Sequence, residues 1–114
     1  MPDPPSRNVV SSFEALLASG KDGALLRFGL GNEYLKAGEA ARAVVHLRHA
    51  VALDAGYSAA WKLLAMALAA TGENADALAA YRAGISAAEK KGDKQAMKEM
   101  QVFERRLAKQ IGQA

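Results

Sequence analysis

Two histidines stand three residues apart, His46 and His49. That spacing puts both imidazoles on one side of a helix, where they could offer two ligands to a metal ion. Thirty-four residues on, the matching positions hold Ala80 and Ala83, and no third ligand is evident. The pair therefore reads as two exposed histidines on an outer helix face, and no metal site is expected. The chain has no cysteine, which excludes thiolate nucleophiles, disulfides and cysteine-type zinc sites. Ser11, Ser12, Ser58 and Ser86 lack a Gly-flanked elbow and an obvious base, so they read as caps or surface residues. Glu14, Glu33 and Asp76 fall in first turns or on polar faces, where they complement a helix dipole or pair with basic neighbours. Gly29-Leu30-Gly31 lies inside a helical pattern and follows no strand, so it is not a phosphate loop. Neither an enzyme nor a cofactor is expected.

The elements that must carry these residues are helices. Hydrophobic residues make up 51% of the chain and are dominated by alanine and leucine, while aromatic residues are 6%. Alanine and leucine lose least on entering a helix, and no segment alternates with period two. A shift of 34 residues matches Leu30 with Leu64, Gly38 with Gly72, Glu39 with Glu73, and Arg48 with Arg82. Each unit reads as helix, short turn, helix. The first spans 24–57, with Gly38 ending Ala24–Ala37 and a second helix over Ala40–Leu53. The second spans 58–91, with Ser58 and Asn74 as caps and Gly72 as the stop between them. Trp61, Leu64, Ala65 and Leu68 face inward, and Trp61 is expected to be an inter-helix anchor.

The flanks are helical as well. Ser11-Ser12-Phe13-Glu14 has the spacing of a capping box, which predicts a short helix over 11–20 with Phe13, Leu16 and Leu17 as its apolar face. Asp93 caps a final helix over 93–111, with Met97, Met100, Phe103, Leu107 and Ile111 on one stripe. Residues 1–10 contain Pro2, Pro4 and Pro5 and read as disordered. The fold class is all-α, and the whole chain forms one domain.

The net charge is +3, and all of it comes from the segment that starts at Glu89. That basic excess fits a solvated outer face on the last helix better than a nucleic-acid footprint. No stretch approaches the ~18 uninterrupted apolar residues of a membrane span, and MPDPPSRNVVSS lacks the layout of a secretory signal. A cytoplasmic location is the expectation.

These residues resemble the tetratricopeptide repeat (TPR) family, whose pattern is W-x2-L-G-x2-Y…A-x3-F…P over about 34 residues. The pattern falls on Arg27, Leu30, Gly31, Tyr34, Ala43, Leu47 and Ala55, then on Trp61, Leu64, Ala65, Leu68, Ala77, Tyr81 and Glu89. Arg27 replaces the tryptophan, Leu68 the tyrosine, and neither Ala55 nor Glu89 is proline; without proline the second helix of unit two should run on through Lys91. The tail AEKKGDKQAMKEMQVFERRL is similar to that of small stand-alone bacterial members. The resemblance implies a right-handed α-solenoid of two repeats between an N-terminal short helix and a C-terminal capping helix. It also implies a concave groove lined by the first helix of each unit. Leu25, Phe28, Asn32, Leu35 and Lys36 line it from unit one, and Ala59, Lys62, Met66, Ala69 and Ala70 from unit two. With the register kept, Ala96, Met100 and Phe103 extend it.

The family's basic clamp for a C-terminal carboxylate would fall on Phe28, Asn32, Leu63, Asp93 and Met97, where only Asn32 survives. The implied function is a protein–protein interaction adaptor that binds a peptide or amphipathic helix through Phe28, Asn32, Lys36, Lys62 and Met66. The alternatives are a homo-oligomerising scaffold and, more weakly, nucleic-acid binding through the basic last helix.

Overall fold

The computed structural model describes residues 5–112, which form six helices and no strand. The helices are α1 (Pro5–Ala18), α2 (Ala24–Lys36), α3 (Ala40–Leu53), α4 (Ser58–Ala70), α5 (Asn74–Lys91) and α6 (Lys94–Gln110). They pack in sequence order, each against the next, and α4 also touches α2 and α6. The result is a right-handed solenoid measuring 45 × 30 × 20 Å.

One turn recurs four times. At Gly20, Gly38, Gly72 and Gly92 the backbone takes a positive φ between 75° and 88°, where a Cβ would be strained. The next residue then donates its N–H to the carbonyl five positions back. The bonds are Lys21 to Leu16, Glu39 to Tyr34, Glu73 to Leu68 and Asp93 to Ala88, all at 2.9–3.1 Å. This closes the last turn of the helix and reverses the chain. The α3–α4 connection differs. Asp54 is extended, and its Oδ1 accepts from the Gly56 N–H at 3.1 Å.

The helix starts correct several expectations. α1 begins at Pro5, so residues 5–10 are helical and Ser11–Glu14 lie mid-helix as no capping box. Proline suits a first helical turn, because its missing N–H has no partner to lose there; residues 1–4 lie outside the described part. Ser58 and Asn74 are the first residues of their helices and do not cap them, since Tyr57 and Glu73 hold the cap positions without a side-chain bond. Asp93 does cap α6, its Oδ1 accepting from the Ala96 N–H at 3.1 Å.

The core runs the length of the stack through Leu30, Leu47, Leu64, Leu68, Tyr81 and Met100. Small residues set the spacing. A Cβ on Gly31 would collide with the branch of Leu47, so α2 and α3 meet closely there. Trp61 is partly buried against the core, and its Nε1–H donates to the Ala55 carbonyl at 2.8 Å. In α1, Phe13 and Leu17 pack on the core, but Leu16 is 43% exposed.

The register changes at α6. Leu30 and Leu64 are equivalent core residues 34 apart, whereas Met100, the next in that row, follows after 36. α3 has 14 residues and a four-residue connector, 54–57; α5 has 18 and a two-residue connector, 92–93. The last helix therefore slips by two positions. Met100, expected on the groove, is 1% exposed and belongs to the core.

Candidate partner-binding groove

The first helices of successive pairs, α2, α4 and α6, stand side by side along one face of the stack. Phe28 is half-buried and stacks on Tyr57, with ring centroids 4.9 Å apart and planes 25° apart. Only part of its ring is thus exposed. Asn32 is half-buried one turn further along, and Lys36 is exposed with its ammonium 3.0 Å from Glu33 Oε1. Met66 is 37% exposed on α4, and Leu25, at the start of α2, is 75% exposed.

Lys62 has a fuller role than its sequence position indicates. Its ammonium pairs with Glu99 of α6 and lies 5.9 Å from the centre of the Phe103 ring. It is a strut between α4 and α6. Beside it a cavity of about 320 Å³ opens between the N-terminal halves of these helices, lined by Ser58, Ala59, Lys62, Gln95 and Glu99.

The two-residue slip changes which α6 residues share the row of Lys62, Met66 and Ala70. They are Lys98, Val102 and Arg106, and Val102 is 43% exposed. The clamp positions move with it, from Asp93 and Met97 to Gln95 and Glu99. Neither is basic, and Asp93 is occupied as a cap.

The second feature of the molecule is a polar cluster that sequence reasoning missed. His46 is not an outer-face residue; its side chain is 12% exposed and wedged between α1, α2 and α3. Arg27 Nη1 lies 3.1 Å from His46 Nδ1. A guanidinium can only donate, so Nδ1 accepts and the imidazole proton sits on Nε2, 3.5 Å from Glu14 Oε1. The same Glu14 oxygen accepts from the Tyr34 hydroxyl at 3.0 Å, and the Tyr34 and His46 rings stack at 5.5 Å. Arg27 also binds Asp22 at 2.8 and 3.0 Å, and these bonds hold the Asp22 carboxyl at about 2. Arg42 lies 5.7 Å from the Tyr34 ring. The available clue was Arg27 itself, a cation at the tryptophan position, which needs a polar partner once half-buried.

Burial lowers the His46 pKa, and Arg27 and His49 act in the same direction, against Glu14 and Asp22. A lowered value means the unfolded chain binds the proton more readily. Stability from this group is thus full above about pH 6.5 and is lost as pH falls below that through the folded value. The melting temperature should drop by a few degrees between pH 7.5 and 5.5. His46→Gln should flatten that dependence. An identical pH profile for parent and variant would show that the cluster does not couple to folding.

The pair His46/His49 does not converge, because His46 turns inward and His49 stays exposed. No group of three or more potential ligands is present among the described residues. No described helix is long and apolar enough to cross a membrane.

Residues 22–107 match the model of the bacterial transcriptional activator domain. The chain is 52% identical over 99 residues to the TPR repeat-containing protein PA0015 of Pseudomonas aeruginosa, covering 87% of this chain and 94% of that protein. Among solved structures, protein BPP2914 from Bordetella parapertussis superposes with a TM-score of 0.76 at 44% identity, over 90% of this chain and 89% of that one. The Sgt2 TPR domain from Aspergillus fumigatus gives 0.70 at 22% identity, over 99% and 85%, a likeness of fold alone. By its repeat, its fold and these relatives, the chain belongs to the tetratricopeptide repeat proteins, among those described by the bacterial transcriptional activator domain model.

Proposed function

We propose that this protein is a non-catalytic interaction module whose concave face takes an apolar or amphipathic helical segment of a partner protein at Phe28, Asn32, Lys36, Lys62 and Met66. The supporting observation is a division of labour on the first helices. Leu30, Leu64 and Leu68 supply the core and are at most 3% exposed, while Leu25 and Met66 on the same helices remain 75% and 37% exposed. Apolar surface that the fold does not use is surface available for a partner.

The chemistry follows from the residue types. Met66 is unbranched and polarizable, so it adapts to different apolar side chains. The partly covered Phe28 ring offers an edge, and the Asn32 amide can both donate to and accept from a peptide backbone. Lys36 and Lys62 favour an acidic flank on the partner, although each already shares its charge with a glutamate.

The test begins with a partner captured by crosslinking in the source cell, whose affinity is then measured for parent and variant proteins. Met66→Glu should weaken binding by at least about tenfold at any salt, as expected of a buried anchor. Lys36→Glu, whose ammonium is exposed, should weaken it mainly at low salt, because exposed charges are screened over about 8–10 Å at physiological ionic strength. Both variants should keep the parent's helix content. Equal affinities for all three proteins would place the partner on another face.

A further inference from the structure

Beyond the Lys62–Glu99 strut the seam between α4 and α6 opens again. Here the C-terminal halves of the two helices part above Tyr81 of α5, leaving a cavity of about 480 Å³. Its walls are apolar: Ala69, Leu107, and the rings of Tyr81 and Phe103, which stack at 5.9 Å with planes 10° apart. Arg106, Lys109 and Gln110 complete the lining, and among the described residues it contains no acid. Arg106 and Lys109 are exposed and have no ion-pair partner among the described residues. Glu104, the nearest acid along the helix, is engaged by Arg82 at 3.2 Å. Arg106 also belongs to the groove row, one turn beyond the exposed Val102.

We propose that this cavity is a second anchor point for the partner segment, receiving apolar side chains immediately adjacent to carboxylates. The proposal rests on the interaction role argued above and adds the chemistry of what is recognised. An apolar hollow of this size suits one or two large side chains. Two exposed cations at its mouth, without an ion-pair partner among the described residues, reward a neighbouring carboxylate and penalise a lysine or arginine there. The aromatic walls are packed in place: Tyr81 is 4% exposed, and Phe103 stacks on it with the Lys62 ammonium 5.9 Å from its ring centre. Little ordering is therefore needed on binding. Recognition of an acid comes from side chains at the far end of α6, well past the positions where the clamp residues are missing.

The experiment is an NMR titration of the full isotopically labelled chain with acetyl-Gly-Leu-Phe-Asp-Glu-Gly-amide. Shift changes should concentrate at Ala69, Phe103, Leu107 and Lys109. The double variant Arg106→Glu, Lys109→Glu should lower affinity by at least about tenfold at low salt, with helix content unchanged. Two control peptides should fail to bind, one with lysines for its acids and one with Gly-Ser for Leu-Phe. Equal binding of the acidic peptide that lacks Leu-Phe would reduce the effect to general charge attraction and overturn the proposal. So would shifts centred elsewhere, or a charge reversal without effect. The two readings separate cleanly on the crosslinked partner. Loss with Met66→Glu but not with the double reversal would leave the groove standing and remove this cavity from it.

Discussion

Removing residues 93–114 should leave a chain that aggregates or melts far below the parent. α6 covers the exposed flank of α5, and the contact is intimate. Met100 is 1% exposed, Leu107 and Ala108 are 6% exposed, and Phe103 stacks on Tyr81. Loss of a buried methionine side chain alone costs about 2–5 kcal/mol, and the truncation would uncover several such groups at once. A domain of this kind has about 5–15 kcal/mol in total. Repeat stacks need a terminal helix with a polar outer face for this reason. Here Lys94 and Arg105 supply that face. Circular dichroism melts and light scattering on the truncated chain are the measurements. A soluble monomer with the parent's melting temperature would make α6 an appended arm and not part of the fold.

Gly84→Val should be nearly as damaging, though it adds atoms where the truncation removes them. Gly84 lies mid-helix in α5 at the point where α4 and α6 both approach. A Cβ there would stand 2.6 Å from Met100 Sδ and 2.9 Å from Trp61 Cβ. The methionine can swing aside, but a Trp61 Cβ moves only with the α4 backbone. Alanine in place of a mid-helix glycine normally gains about 1 kcal/mol, while overpacking a close contact costs about 1–3 kcal/mol. Gly84→Ala is therefore expected to be net destabilising and Gly84→Val clearly worse. For a small domain each kcal/mol is worth about 4–8 °C in melting temperature. Combining Gly84→Ala with Met100→Ala should cost less than the sum of the single changes, since the second removes one of the two collisions. Strict additivity, or stabilisation by Gly84→Ala, would show that the helices separate freely at this point.

The sequence by itself determined the parts of this protein that depend on local order along the chain. The glycines at 38, 72 and 92 and the Asp93 cap are each set by residues within a turn or two of one another, and the 34-residue spacing of Leu30 and Leu64 repeats one such local pattern along the chain. Helix type, the glycine-marked helix C-termini and the inward stripe follow from such local rules, because φ and a 3.6-residue period need no distant partner. Even the length of α5 was legible, from a proline that is absent at Glu89.

What only the tertiary structure decided are the places where helices far apart in sequence set each other's surroundings. The two-residue slip of α6 arises from the joint length of α5 and its connector, and it moved Met100 from groove to core and left Val102 exposed in the groove row. His46 was misread because its repeat equivalent, Ala80, does not share its neighbours: Glu14 and Arg27, 32 and 19 residues away in sequence, turn that position into a polar junction. Lys62 found Glu99, 37 residues on, and the α4–α6 seam holds two separate cavities, one lined by that pair and one by Phe103. A repeat count assigns each position an average environment; an ion pair or a cavity depends on the particular side chains across the gap, which periodicity does not contain.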